Sequence, residues 1–425
     1  MSKILFSCQS KILNLWMLDF RFITGSSIQQ IFLIQLWVLL LLGFLSNLNS
    51  QNILTEQDVI TATLKNSPVI SSANLQLQMQ RQLEGASFNL ANPEFIIESP
   101  TGEFMTLGVS QAFQFPSVYT KQRQLAKQHT RLAEKQKILS EREVIQQVKS
   151  AYLNLQFAKQ LLQHLKKQDS IYAIISDAAN RQFIAGQIDF KEKTFAASQF
   201  GDIHNQFMQA QTDAAIALMQ LQIYTGIAEP FEILPLRKEN SGVFINNEIV
   251  DSFQIHNSAR VQYAFQSQAV AEKMISLEKS KALPGFSVGY MNQGLKNSEI
   301  PYRFKTGVNI PIWFWQYSAS MKAAKTNLQI SEQQILVEQQ YLNIQIQLAK
   351  AEGLKAQMAL EYFENKGLRH AFDLISTSER MFTAGQSDYI NYLRTLSDAY
   401  KIQIQYLETL RKFNQAIINI NYLKG

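Results

Sequence analysis

The sequence predicts a mainly α-helical chain with a small β part, built from two similar halves. The chain has 425 residues with only 17 glycines and 9 prolines, and long stretches lack both, which favours long helices. The segment Phe183–Asp189 (FIAGQID) returns as Phe382–Asp388 (FTAGQSD), at an offset of 385 − 186 = 199 residues. Alternating apolar and polar residues within 94–115 and 285–314 predict strands.

The duplication extends beyond this motif. Further landmarks recur in the same order at offsets of 199 or 191 residues: Gly108 and Gly307, Gly226 and Gly425, Asn66 and Asn257, and Pro93 and Pro284. A unit near 190 residues is too long for a small solenoid repeat. We therefore predict a first repeat over 55–226, a linker over 227–249 and a second repeat over 250–425, placed around a pseudo-symmetric axis.

The N-terminus carries a strongly apolar run at residues 31–46. It is short for a membrane-spanning helix, basic residues precede it, and small or polar residues follow it. This pattern predicts a signal peptide over 1–50 and a mature chain over 51–425. A membrane anchor is the alternative, and Met17 is an alternative start. Cys8, the only cysteine, lies in this leader, so we expect no disulfide or lipid-bearing cysteine in the mature chain.

The predicted elements follow the same plan in both halves. In the first half we predict a helix over 55–91 broken at Ser67, strands over 94–98 and 103–115, and helices over 117–182 and 189–225. In the second half we predict a helix over 250–282, strands over 285–294 and 302–314, a helix over 318–381, and a last helix from about Gly385 to the C-terminus.

The lengths of these helices predict an architecture. Pro116 to Gly186 and Trp315 to Gly385 are both 70 residues, or about 100 Å of helix each. We expect each long helix to be matched by two shorter helices stacked end to end: 187–226 with 250–282, and 386–425 with 55–91. The turns at Gly186 and Gly385 then lie together, at the end farthest from the strands.

The strands alternate between an apolar face, as at Val308 and Ile310, and a polar face, as at Arg303 and Lys305. This is the alternation of an outer-membrane strand, with the apolar side toward lipid. Four strands cannot close a barrel, and an open sheet edge does not survive in lipid. Oligomerisation is the simplest way to close it. A small soluble sandwich is the alternative.

Several motifs together resemble the TolC-type outer-membrane efflux proteins, over essentially all of 52–425. They are the tandem F-x-A-G-Q-x-D motifs, Tyr224-Thr225-Gly226, Pro284–Tyr290 and Gly307–Ile312. The resemblance implies a homotrimer in the outer membrane of a Gram-negative bacterium. It also implies a 12-stranded barrel, four strands from each subunit, continuous with a long α-helical barrel in the periplasm.

Three segments are similar to the heavy-metal branch of that family: Asn92–Glu98, Gly108–Gln111 and Phe115–Tyr119. The resemblance implies a passive exit duct surrounded by outer-membrane lipid, served by a periplasmic adaptor protein and an inner-membrane RND pump, with heavy-metal cations as cargo. A duct for drug efflux or type I secretion is an alternative. A secreted coiled-coil scaffold without a channel is a further one.

In the family, the two Ala-Gly turns form the periplasmic tips on which the adaptor docks. The residues carried over are Phe183, Ala185, Gly186, Gln187 and Asp189, with Phe382, Ala384, Gly385, Gln386 and Asp388. Glycine permits the positive φ that a helix reversal needs, so a simple C-cap role is the alternative for both glycines. The two aspartates are well placed as N-caps of the returning helices.

Family members often place an acidic residue six positions after the tip glycine, pointing into the closed pore. The equivalent residues are Glu192 and Asn391, and Arg394 lies at a further pore-lining position. Rings of carboxylates favour cations, so Asn391 and Arg394 depart from a strongly cation-selective pattern. A solvated helix face is the alternative for Glu192.

The sequence gives no support for catalysis. The five histidines are scattered without the i,i+4 spacing of a metal motif, and we find no phosphate-binding loop or nucleophile motif. We therefore expect no enzyme activity, cofactor or metal site. The net charge of +6 is spread along the predicted helices, so we also expect no nucleic-acid partner.

Overall fold

The structure is a computed structural model that describes residues 53–99, 102, 105–229, 231–239, 256–292 and 302–424. The predicted signal peptide and residues 240–249 of the predicted linker lie outside the described residues. Secondary-structure elements are numbered below in chain order over the described residues.

The first elements after the two-residue strand β1 (Ile53–Leu54) are the helices α1 (Glu56–Asn66) and α2 (Pro68–Gly85). Thr55 and Asp58 form a capping box that starts α1, and Pro68 occupies the first turn of α2. The helix predicted over 55–91 is therefore too long at its C-terminal end. The Ser87 hydroxyl donates to the Glu84 carbonyl at 2.6 Å, a local hydrogen bond that competes with helix continuation.

Two long helical legs dominate the chain. Helix α3 (Pro116–Ile184) has 69 residues and returns through the 36-residue helix α4 (Phe190–Thr225). In the second half, α5 (Ala259–Lys281) precedes the sheet and α6 (Phe314–Tyr362) follows it. A π-helical segment (Phe363–Gly367) and α7 (Leu368–Thr383) complete the outward leg, and the 36-residue helix α8 (Tyr389–Lys424) returns. The described chain is therefore mainly α-helical.

The π-helical segment interrupts an outward leg that the sequence predicts as continuous. Gly367 lies in close contact with two aromatic rings, because a Cβ built there would lie 2.8 Å from the Phe363 ring and 3.4 Å from the Tyr362 ring. A wide helical turn with a glycine accommodates this crowding. The equivalent stretch of α3 is regular α-helix.

Four strands form one antiparallel sheet in the order β2 (Glu94–Glu98), β3 (Thr106–Phe113), β5 (Gly285–Asn292), β6 (Tyr302–Asn309). The strand predicted over 302–314 is too long, and α6 begins at Phe314 rather than at Ser318. The partner strand β5 starts at Gly285, which pairs with Asn309. Among the described residues, no strand lies opposite those beyond Asn309, and Pro311 lacks a backbone donor.

The shorter helices stack within each half of the chain, so the predicted stacking of 187–226 with 250–282 is wrong. The Asn66 side chain at the end of α1 donates to the Thr225 carbonyl at the end of α4, at 2.7 Å. Val261 at the start of α5 packs in one cluster with Ile420 and Leu423 at the end of α8. Equal helix lengths allow both arrangements, and these contacts select the one in which α4 meets α1 and α8 meets α5.

Residues 231–239, here called the strap, lie across the middle of the long helices. The strap contains the two-residue strand β4 (Glu232–Ile233), which pairs with β1. The Tyr152 hydroxyl accepts from the Leu234 amide at 3.3 Å and donates to the Leu54 carbonyl at 3.0 Å. Tyr152 lies near the centre of α3, so the strap and the start of the described chain meet at mid-height.

The strap also reaches the second repeat. Lys238 pairs with Glu364 of the π-helical segment at 2.7 Å. Asn414 of α8 is buried, donates to the Arg237 carbonyl at 2.7 Å and accepts from the Glu239 amide at 3.1 Å. Contacts to α3, the π-helical segment and α8 therefore hold both repeats at one level. Within the described ranges, no helix combines the length and apolar character that a membrane crossing requires.

Candidate functional site

The two predicted tips have the same backbone geometry. In the first turn, the amides of Ala185, Gly186 and Gln187 donate to the carbonyls of Arg181, Phe183 and Gln182, at 3.0, 3.0 and 2.9 Å. In the second turn, the amides of Ala384, Gly385 and Gln386 donate to the carbonyls of Arg380, Phe382 and Met381 at the same three distances. Gly186 and Gly385 both have φ of +71°, the left-handed conformation that favours glycine.

Each returning helix starts at the predicted aspartate. Asp189 accepts from the Glu192 amide at 2.7 Å, and the Glu192 carboxylate accepts in return from the Asp189 amide at 3.4 Å. Asp388 accepts from the Asn391 amide at 2.7 Å, while the Asn391 side chain donates to the Asp388 carboxylate at 3.1 Å. Both aspartates are N-caps, and Glu192 and Asn391 are engaged in the two caps.

The two tips belong to one end of the described chain. A single buried cluster joins residues of α3, α4 and α8 directly behind the turns. Its members are Tyr172, Ile175, Ala179, Ala196, Ile203, Tyr389, Tyr392, Leu393, Leu396 and Tyr400. Burial raises the pKa of Tyr389, while Arg181 of the first repeat opposes this shift and Glu192 adds to it. Side chains of the first tip therefore lie close to the second tip.

The side chains at the two tips differ. At the first tip Ile184 is 76% exposed and Phe190 is 65% exposed, and the Lys193 ammonium lies 4.9 Å from the Phe183 ring centre. At the second tip Tyr389, the equivalent of Phe190, is 5% exposed. The Phe382 ring stacks on Tyr392 at 4.4 Å and meets the edge of Tyr389 at 4.8 Å.

The predicted pore residues of the second repeat lie on one exposed face of α8. Asn391 and Arg394 are exposed, whereas Leu393 and Leu396 are buried between the helices. The strap meets α8 at Phe413 and Asn414. At 100° per residue, Arg394 projects from the side of α8 that faces away from the strap. Glu192 is partly exposed at the start of α4.

Sequence reasoning missed a partly buried histidine halfway between the strap and the tips. His164 of α3 packs edge-on against Tyr400 of α8, with ring centres 5.8 Å apart. Burial lowers the pKa of His164, and Lys167 lowers it further. The equivalent residue in the second repeat is Phe363, at 164 + 199 = 363. The sequence signal that could have identified His164 was this histidine at a position where the second half has a phenylalanine.

The described parts of the chain contain no cluster of side chains that could bind a metal ion. There, no group of three or more His, Cys, Asp and Glu residues lies close enough to hold a metal ion. His204 contacts Asp169 at 2.9 Å, but this pair is joined by no third ligand among the described residues. The described His, Asp and Glu side chains that the predictions singled out therefore act in helix caps and on charged helix faces.

Comparison with known proteins gives a clear structural result. No protein-family model matches the chain, and no curated protein matches it by sequence. CusC, from a study of folding and transmembrane channel formation, superposes with a TM-score of 0.72 at 15% identity, over 87% of this chain and 92% of CusC. The Campylobacter jejuni outer membrane channel CmeC superposes with a TM-score of 0.73 at 14% identity, over 87% and 85% of the two chains.

A third solved structure, the outer-membrane channel OprN, superposes with a TM-score of 0.74 at 11% identity, over 87% of this chain and 89% of OprN. Such low identities report on the fold, and all three matches span most of both chains. The prediction of a TolC-type fold is confirmed, and this chain has the fold of these outer membrane channels.

Proposed function

We propose that the chain is one subunit of a passive exit duct in the outer membrane of a Gram-negative bacterium. The observation that carries this proposal is the open four-stranded sheet with apolar side chains exposed on it. Phe95 at one edge strand and Phe304 at the other are both 79% exposed. Lipid on the apolar face and further copies of the chain at both edges would satisfy such a sheet.

The helical layer supports a closed ring of copies. The contacts between helices give the order of neighbours across this layer. The leg formed by α2 and α4 lies at one edge, followed by α3, then by the leg of α5 and α8, and finally by α6 with α7 at the other edge. Both outer edges expose apolar stripes at helical spacing. On α4 these residues are Met208, Ile216, Met219 and Ile223, and on α6 they are Val337, Tyr341, Ile344 and Leu348. Joining unlike edges head to tail gives a ring, and three copies give the 12 strands that the family resemblance implies.

We infer that the chain is an internal duplication. Helices α3 and α4 end at Ile184 and Thr225, and α7 and α8 end 199 residues later at Thr383 and Lys424. The identical turn geometry at Gly186 and Gly385 supports the same relation. The proposed domain organisation is a leader over 1–50 followed by a duct subunit over 51–425, with strands within 94–115 and 285–314.

The proposed partners follow from the tips and from the absence of catalytic chemistry in the sequence. We propose that the tip residues around Gly186 and Gly385 dock a periplasmic adaptor, and that an inner-membrane pump of the RND type supplies the energy. Heavy-metal cations are the proposed cargo, because three sequence segments are similar to the heavy-metal branch. The constriction is proposed at Glu192, Asn391 and Arg394.

The oligomeric state provides the first test. The protein, extracted from outer membranes in mild detergent, should have the mass of a trimer by light scattering and should form channels in planar bilayers. Ile344→Glu, on the apolar stripe of α6, should abolish the trimer. Asn343→Glu adds the same charge to the exposed neighbouring position, about 100° around the helix, and should leave the trimer intact.

A monomeric wild-type protein, or trimers that carry no current, would contradict the duct and favour a scaffold without a channel. The cargo needs a separate test in cells. Deletion of the gene should lower the tolerated concentration of zinc or copper more than that of hydrophobic drugs. The reverse order would assign the duct to drug efflux.

A further inference from the structure

The two returning helices carry opposite charges at equivalent positions. Asp202 and Asp213 of α4 correspond to Lys401 and Lys412 of α8, because 401 − 202 and 412 − 213 both equal 199. All four residues are exposed. Within each helix the pair is eleven residues apart, which is about three turns. Each helix therefore repeats its charge along a single face.

The charges of the two helices project from the same side of the layer. Asp213 lines a groove together with Asn154 and Arg411, and Lys412 lines a second groove together with the same two residues. The strap meets α8 at Phe413, Asn414 and Ile417, and a helix turns by about 100° per residue. Lys412 therefore faces away from the strap, on the side of α8 that carries Arg394.

Over the equivalent segments 195–220 and 394–419, the other charged residues of the two returning helices also cancel. Residues 195–220 of α4 hold Asp202 and Asp213 as their only Asp, Glu, Lys or Arg residues. Residues 394–419 of α8 add the carboxylates of Asp398 and Glu408. They also carry four cationic side chains, those of Arg394, Lys401, Arg411 and Lys412. Taken together, the two segments therefore carry four carboxylates and four cationic side chains in each subunit.

We propose that Asp202 with Lys401, and Asp213 with Lys412, form two charge-balanced rings in the wall of the duct. This inference rests on the proposed trimeric duct. Three subunits place three carboxylates and three ammonium groups at each level, so that the sign of the charge alternates around the ring. Uniform rings select ions by charge, whereas alternating rings do not. The wall therefore suits zwitterionic cargo and ions of either sign, and it leaves cargo selection to the pump.

Planar-bilayer recordings in a KCl gradient test this inference. The ionic strength should be near 10 mM, where charges act over about 30 Å. The wild-type reversal potential should lie close to zero. The double variant Asp202→Asn with Asp213→Asn should move it toward the chloride equilibrium potential. Lys401→Gln with Lys412→Gln should move it toward the potassium equilibrium potential.

Two further variants sharpen the test. The quadruple variant that combines both pairs should return the reversal potential close to the wild-type value. Lys159→Gln removes a charge that pairs with Glu232 of the strap at 2.8 Å, on the other side of the layer, and should leave selectivity unchanged.

The failure of the inference and the failure of the duct give different results. Normal conductance with unchanged reversal potentials in both double variants would overturn the charge-balanced rings and leave the duct intact. A strongly cation-selective wild-type channel would also overturn the rings. A wild-type protein that carries no current would overturn the duct itself, together with this inference.

Discussion

The first and second tips share one backbone and differ in where their aromatic side chains lie. Both turns have a glycine at φ +71° and the same three hydrogen-bond distances. Phe190 of the first tip is exposed to solvent, whereas the equivalent Tyr389 is buried against Phe382. The repeated motif therefore adopts the same backbone turn at both sites, whereas the neighbouring side chains give each turn a different surface.

From this difference we expect the two tips to have different tasks. The second tip is held by stacked aromatic rings and contributes to the buried cluster that joins the two repeats. The first tip presents Ile184 and Phe190, an apolar pair that a partner protein could cover. We therefore expect the second tip to control local stability and the first tip to control docking.

Replacing the two equivalent aromatic residues should have unequal effects. Tyr389→Ala removes a buried ring and should destabilise the second hairpin by about 3 kcal/mol. Phe190→Ala removes an exposed ring and should change stability by less than about 0.5 kcal/mol. Hydrogen exchange of amides in α7 and α8 measures the first effect, and amides in α4 measure the second. Equal losses in the two hairpins would refute the division of tasks.

The two tip glycines should behave alike. Gly186→Ala and Gly385→Ala each place a Cβ on a left-handed residue, although no other group lies within 4 Å of it. The expected cost is about 1 kcal/mol in each hairpin, again from hydrogen exchange. Gly85→Ala, at a position without positive φ or close neighbours, is the matched control and should not destabilise. A marked difference between the two tip variants would show that their backbones are not equivalent.

The two N-caps should also be equivalent, with a slightly smaller effect. Asp189→Ala and Asp388→Ala each remove the acceptor for an amide in the first helical turn and should cost about 1 kcal/mol or less. Asp→Asn at either position retains an acceptor and should be nearly neutral. Protection of the first amides of α4 and α8 provides the measurement. If Asp388→Ala alone left this protection unchanged, the two caps would not be equivalent.

The smallest effect concerns pH and arises from His164, which the second repeat replaces by Phe363. Burial and Lys167 lower the folded-state pKa of His164 below its ordinary value of 6.5. The unfolded chain therefore binds the proton first, and stability should fall as the pH drops below about 6.5. His164→Phe should remove this dependence. Thermal melting in detergent between pH 7 and pH 5 tests the prediction, and identical pH slopes for the two proteins would contradict it.

Local features of the fold were readable from the sequence. Both turns, both N-caps and the strand Glu94–Glu98 follow from residues that act on their immediate neighbours. Tertiary features were not readable in the same way. The burial of Tyr389 depends on Phe382 and Tyr392. The π-helical segment could not be predicted from length, because its leg has the same number of residues as the equivalent leg of the first half. The stacking of α4 on α1 depends on Asn66, whose contact with Thr225 spans 159 residues.

The strap has a consequence for the order in which the chain folds. Each hairpin of long helices can form from contacts that begin a few residues apart, at its turn. The strap instead joins Tyr152 to Leu234, 82 residues later, and Glu239 to Asn414, 175 residues later. Closing loops of that length carries an entropic cost before any contact forms. We therefore expect the hairpins to form first and the strap to dock last, across helices of both halves.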